Sequence, residues 1–389
     1  MSAPRVTVLM AVYNGAEYLR EAIDSVIGQT FSDLELLIVD DASTDETVAI
    51  VESYDDPRIR LLRNETNLNQ VVSLNRGLVE ARGDYVARLD HDDVCRPTRL
   101  ERQVAVLDTR PDVGVVGCFM EMRDEVGAAP EPLANRVADY PDFLYAILTE
   151  RRLLGHPAVM FRREAVLSVR GYEEAARWAE DRELWARLAL ARWHAVVIEE
   201  ALVVYRWHTE QQTQTSRSLQ LAAAAKVQEH FVGALAGPEH GHALALLFAR
   251  DPARFWNEGL GLGAPRALDA LLAGAGEQLA LSDAEATRFA QLVAAHVERV
   301  ARRAWKTSPA AQRDQAGELW AWASGRLGGR RQWPYRATVA AAPALYRARR
   351  LRISATDSFH HSPRTARLKS LGRRSQRLAR LYRRVVSDR

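Results

Sequence analysis

Three aspartates fall within four residues at Asp90-His91-Asp92-Asp93. Carboxylate oxygens are hard donors, which suit Mg²⁺ or Mn²⁺ bridging to diphosphate oxygens better than a soft metal. Taken alone, the spacing equally describes a solvated acidic turn that caps the following helix. A second acidic pair, Asp40-Asp41, together with Tyr13 has the chemistry of a pocket for a base and a ribose. The ring would stack on a planar base and a carboxylate would accept its N–H. An Asx-type turn opening a helix at Thr44 is the competing reading of that pair.

The elements that carry these residues are legible in the hydrophobic pattern. Val6 to Val12 is a continuous β-rich apolar run, as expected of a strand buried on both faces. Leu19, Ile23, Val26 and Ile27 keep helical spacing, and Leu34 to Val39 is a second strand that stops at Asp40-Asp41. A helix through Glu52, a strand at Ile59 to Leu62, a helix from Val71 to Val79 and a strand at Tyr85 to Leu89 repeat the unit. A helix from Pro97 to Leu107 and a strand from Val113 to Cys118 follow, after which the alternation fades. Strands alternating with helices imply right-handed crossovers and a mostly parallel sheet, which binds ligands outside the carboxyl ends of its strands. Both acidic clusters stand at such ends.

The chain has 389 residues, 47% hydrophobic and 26% charged, enough for a substantial core. Its two cysteines, Cys95 in a loop and Cys118 in a buried strand, support neither a disulfide framework nor a thiolate metal site. A reducing cytoplasm fits, and neither a secretory signal nor a membrane-spanning apolar run is read. From about Ser218 to Arg330 the sequence is rich in Ala and Leu at helical spacing, and Ser282-Asp-Ala-Glu285 is a capping box. Beyond Gly325 to Pro334 the composition turns basic. Arg331 to Arg389 holds sixteen Lys/Arg against two Asp in a chain of net charge +3, so the preceding residues carry −11. Expected domains are therefore 1–217 catalytic, 218–330 α-helical accessory, and 331–389 a basic tail.

Four segments together resemble family-2 glycosyltransferases with the GT-A fold: Val8 to Gly15, Leu36 to Asp45, Asn67 to Gly77, and Asp90 to Asp93. The resemblance covers about residues 5–215. It implies that Ala11, Tyr13, Asp40, Asp41 and Asp90 serve the nucleotide and that Asp92 holds a divalent cation, Mn²⁺ or Mg²⁺, on the diphosphate. Trp178-Ala-Glu180-Asp181-Arg-Glu-Leu-Trp185 matches the family's acidic pair beneath the acceptor, which makes Asp181 the general base. Acids in a first helical turn also stabilise the helix dipole, so the pair is not diagnostic by itself. His156, after Leu154-Gly155, and Glu180 fall on the acceptor side. Tyr205-Arg206-Trp207-His208 resembles the Tyr-Arg-x-His segment of non-processive members, which implies Arg206 at the diphosphate and His208 in the metal site; a solvated histidine is the competing reading of His208. Two positions depart from the family: Asn69, where glycine is frequent, and Leu74, where arginine is frequent.

The expected reaction is an inverting, single transfer from a nucleotide-diphosphate sugar, with UDP favoured by family frequency, to a saccharide or lipid-linked saccharide in bacterial surface-polysaccharide assembly. The alternative is an inactive nucleotide-sugar or glycan-binding scaffold. A dinucleotide oxidoreductase is excluded because Tyr13-Asn-Gly-Ala-Glu lacks the G-x-G-x-x-G cradle. In the tail, Leu371, Leu378 and Val385 with interleaved arginines read as a basic amphipathic helix. It suits an anionic membrane, which would place the enzyme peripherally on the inner face, or the acidic body of the protein itself. No stacking platform favours nucleic acid.

Overall fold

A computed structural model describes residues 3–124, 136–149, 154–208, 216–249, 251–307 and 310–327. All seven residues of β1 (Val6–Val12) are buried. Strand side chains alternate between faces: Val6, Val8, Met10 and Val12 enter one core, while Leu9 and Ala11 enter the other. β1 lies between two parallel partners, β2 (Leu34–Asp40) and β4 (Tyr85–Arg88), with β3 (Ile59–Arg63) beyond β2. Helices α1 (Leu19–Ile27), α2 (Thr47–Glu52) and α4 (Arg99–Thr109) cover the first face, and α3 (Gln70–Glu80) covers the second. The α/β alternation expected from the sequence is present.

Past α4 the sheet becomes mixed. β5 (Val94–Cys95), β6 (Val113–Asp124), β7 (Met160–Arg162) and β8 (His194–Trp207) complete the order β3-β2-β1-β4-β7-β6-β8-β5. β7 is antiparallel to both β4 and β6, β8 is parallel to β6, and β5 is antiparallel to β8. The strand expected to stop at Cys118 runs on to Asp124 because β8 pairs along its whole length, with irregular register around Phe119. Cys95, expected in a loop, lies in β5 opposite Val203.

α5 (Tyr140–Thr149), α6 (Arg163–Ser168) and α7 (Glu180–Leu190) fill out the second face. The region rich in Ala and Leu forms α8 (Arg217–Ala236), α9 (Pro238–Phe248), α10 (Ala253–Asn257), α11 (Ala264–Gln278), α12 (Asp283–Thr307) and α13 (Ala310–Arg326). The capping box is made: Ser282 donates from N and Oγ to Glu285 Oε2 at 2.8 and 2.9 Å, and Glu285 N donates back to Ser282 Oγ at 3.4 Å. Phe231, Leu268 and Val297 belong to the same core as Phe143 of α5 and Trp185 of α7. Gln228 Nε2 donates to the Leu148 carbonyl at 2.5 Å. No described helix is long and apolar enough to cross a membrane. The basic segment 331–389, with its expected amphipathic helix, lies outside the described residues.

Candidate active site

Because β1, β2 and β4 run parallel, their carboxyl ends share one edge of the sheet, and Tyr13, Asp41 and Asp90 follow them there. A cavity of about 950 Å³ opens at that edge, lined by Ala11, Tyr13, Asp41, Asp90, Asp92, His156, Glu180, Asp181 and His208 among others. Residues from sequence positions as far apart as 11 and 208 are thus brought to one place. Asp41 is held by Asn64 Nδ2 at 2.6 Å and Leu68 N at 2.9 Å, both on Oδ1, which leaves Oδ2 without a partner among the described residues. Tyr13 is 47% exposed.

Two expected site residues do not line the cavity. Asp40 is fully buried, and its Oδ1 accepts from Ser43 N at 3.2 Å. The turn reading wins for Asp40, because the chain must bend at the end of β2 and the carboxylate satisfies the bend. Arg206 lies behind the acidic loop. Its Nε donates to the Asp92 carbonyl at 3.0 Å, its Nη2 to Glu21 Oε2 at 2.5 Å, and its Cζ stands 4.5 Å over the Tyr18 ring. Its role in the structure is to brace the loop that presents Asp92.

Within that loop, carboxylate oxygens of Asp90, Asp92 and Asp93 all lie within 4.8 Å of one another. Burial, then the charges of Asp90 and Asp92, push the Asp93 carboxyl well above its ordinary range. Burial also raises Asp90, outweighing an ion pair with Arg88 at 2.5 Å. Asp93 Oδ1 accepts from Arg206 N at 3.0 Å, while the buried Oδ2 has no hydrogen-bond partner among the described residues. His208 Nε2 is 3.0 Å from Asp92 Oδ2. Crowded hard oxygens with one left unsatisfied fit a divalent cation, whose charge would offset both the burial and the mutual repulsion that raise these groups. Asp93 was read from the sequence as part of the acidic cluster but given no role of its own; its burial and its bond to Arg206 N depend on β8.

The first turn of α7 presents the acidic pair to the same cavity. Trp178 N donates to Glu180 Oε2 at 2.9 Å, and Arg182 N donates to Asp181 Oδ1 at 2.7 Å. Burial, then the charge of Asp181, pushes the Glu180 carboxyl up to about 7. Burial also raises Asp181, against the opposing pull of Arg182. His156 Nε2 lies 2.8 Å from the Tyr172 hydroxyl, and burial, then Arg88, holds the imidazole well below its ordinary pKa. It is a neutral hydrogen-bonding group in the wall. Arg88, Arg177, Trp178, Arg182 and Trp207 also line the cavity, as do Arg217, Gln220 and Leu221 of α8. The last three stand at i, i+3 and i+4, one helix face, a signal available in the sequence.

The family described as Glycosyl transferase family 2 matches residues 7–169. EpsE of Bacillus subtilis strain 168, named as a glycosyltransferase, is 36% identical over 210 residues, covering 53% of this chain and 74% of that protein. This chain belongs to glycosyltransferase family 2. A Methanocaldococcus jannaschii glycosyltransferase, MJ1057, is 31% identical over 210 residues, covering 53% of this chain and 72% of its own length. Among solved structures, S. aureus TarS 1–349 in complex with UDP-GlcNAc aligns with a TM-score of 0.50 at 20% identity, covering 83% of this chain and 92% of that one. At that identity the likeness concerns the fold, GT-A. As a family-2 glycosyltransferase, the chain has a cavity at the carboxyl edge of its parallel strands, lined by acids from those strand ends and from α7.

Proposed function

We propose that the protein transfers one sugar, with inversion, from a nucleotide-diphosphate sugar to a saccharide or lipid-linked saccharide, using a divalent cation. The observation that carries this reading is that one cavity is lined both by the acids at the carboxyl ends of parallel strands, Asp41, Asp90 and Asp92, and by Glu180-Asp181 on a different element. Tyr13 and Asp41 bind the base and ribose. Asp92, with Asp90, Asp93 and His208 around it, would hold the cation, Mn²⁺ being preferred if the imidazole contributes. The bound cation supplies charge neutralisation on the departing diphosphate. Asp181 takes the proton of the acceptor hydroxyl as its oxygen attacks the anomeric carbon from the face opposite the diphosphate, and a single displacement of this kind inverts the centre. Glu180, tied to the Trp178 N–H, orients the entry of α7 so that Asp181 faces the acceptor.

UDP is our preferred nucleotide by its frequency in the family, and it is the nucleotide part of the ligand in the TarS structure. Bacterial surface-polysaccharide assembly is the preferred setting, with the basic tail suited to an anionic membrane surface and a catalytic region 1–217 followed by an accessory region. Titration calorimetry of the protein with UDP, GDP and dTDP, with and without Mn²⁺, tests the donor side. Binding of one nucleotide that requires Mn²⁺ and is lost in Asp92→Ala is expected. Failure of all three to bind would overturn the assignment in favour of a scaffold.

A further inference from the structure

The cavity is rich in carboxylates, yet four arginines also line it, and they differ in what they are paired with. Arg88 is buried and ion-paired with Asp90. Arg182 follows the base, and its charge acts on Asp181. Arg177 and Arg217 are exposed, and neither has an ion-pair partner among the described residues. Arg177 stands 4.7 Å over the Trp178 ring, a contact through the ring face that leaves its N–H groups available as donors. Trp178 itself has φ +85°, a backbone region that bulky residues rarely adopt and that recurs at ligand sites. This strained corner is what sets Arg177 against the cavity wall.

Both arginines line the same cavity as the acidic pair and come from elements joined to it. Arg177 precedes α7, and Arg217 opens α8, which packs against α7. Tyr13 and Asp41, which the proposed function gives to the nucleotide, come instead from the ends of β1 and β2. Cations carried by the elements of the proposed base are placed to meet the acceptor rather than the nucleotide. Guanidinium groups are suited to phosphate oxygens, which they can meet with two parallel hydrogen bonds.

We propose that the acceptor is an anionic saccharide bearing a phosphate ester, and that Arg177 and Arg217 hold that phosphate beside the reacting hydroxyl. The proposal rests on the glycosyl-transfer reading above. The phosphate could belong to a lipid diphosphate headgroup or to the glycan itself. Leu221, 51% exposed on the same helix face as Arg217, offers an apolar contact for the first of these.

The test is calorimetric titration of the full-length protein, saturated with UDP and Mn²⁺, using N-acetylglucosamine 1-phosphate and N-acetylglucosamine. Wild type is compared with the double variant Arg177→Gln/Arg217→Gln. The phosphate ester is expected to bind at least about tenfold more tightly than the neutral sugar. That advantage is expected to fall to within about twofold in the double variant, with UDP affinity unaltered. Equal binding of the two sugars, no binding of either, or an advantage that survives the double substitution overturns the proposal. A wild type that fails to bind UDP would instead sink the reading beneath it. Farnesyl diphosphate bearing the same sugar separates the sources: tighter binding than the 1-phosphate upholds the proposal with a lipid headgroup, and equal or weaker binding upholds it with a glycan phosphate.

Discussion

Glu180 and Asp181 are adjacent carboxyls in one first turn, and their environments suit them to different tasks. Asp181→Asn keeps size and hydrogen-bonding shape but removes the base. Turnover is expected to drop by roughly 10²- to 10⁴-fold with nucleotide affinity within about twofold, read by product release against calorimetry. Glu180 carries a cost that can be measured separately. Its ordinary value is 4.5, and burial has raised it to about 7 in the folded chain. Below pH 4.5 both folded and unfolded chains hold the proton and no penalty arises. As pH climbs through that window the unfolded chain releases its proton first, so stability is progressively lost until about pH 7. Glu180→Gln should therefore raise folding stability at pH 8 by on the order of 2 kcal/mol and change little at pH 4. Urea midpoints at the two pH values give the answer. An equal effect at both would mean that burial of the charge is not what Glu180 contributes. The same residues show where sequence legibility ends. Two neighbouring acids at a helix start were visible, but the burial of Glu180 and the place of both in one cavity with the acids of the strand ends were not.

At the scale of elements, the departure at Asn69 now has a physical account. Asn69 precedes α3 with φ +77° and ψ +163°, a region natural to glycine, and its side chain accepts from Val71 N and Val72 N as a cap. Capping favours Asn, whereas the backbone favours Gly. Backbone strain of this kind costs roughly 1–3 kcal/mol, while replacing an Asn cap by Gly costs only a few tenths of a kcal/mol. Asn69→Gly is therefore expected to stabilise the protein by about 1 kcal/mol, and Asn69→Ala, which keeps the strain and loses the cap, to destabilise it by about 1 kcal/mol. Thermal melts of the two variants should move in opposite directions. The first four strands and the helices between them were legible because each is a local apolar run with its own stop signal. β6 was read only as far as Cys118, and β5, β7 and β8 were not read, since Cys95 pairs with Val203 and Met120 also pairs with Val203. Such partners are set by topology rather than by periodicity. That Arg206 stands behind the acidic loop, outside the cavity lining, was not legible for the same reason: it sits on β8, and β8's position against that loop was unknown.

For the whole molecule, composition marked a change after residue 217, from an α/β pattern to helices alone, yet the structure carries one core across that point. α5 packs on both α8 and α12, and Phe143, Leu144, Ile147 and Leu148 lie in the same apolar cluster as Phe231, Leu268 and Val297. Tyr145 Oη reaches His296 Nδ1 at 3.3 Å, and Arg288 donates to Asp142 at 3.1 Å, so polar contacts also cross the junction. Burying a large apolar side chain contributes roughly 1.5–3 kcal/mol, and a folded domain is stable by only about 5–15 kcal/mol in all. Exposing four such residues of α5 would consume most of that margin. A chain ending at residue 216 is therefore expected to lack a cooperative thermal transition and to bind a hydrophobic dye. The full-length protein should melt in a single calorimetric transition that a bound nucleotide raises. If the shortened chain instead melts cooperatively and the full chain shows two transitions, the helical region is an independent domain. The catalytic cavity would then need only the first turn of α8, not the bundle behind it.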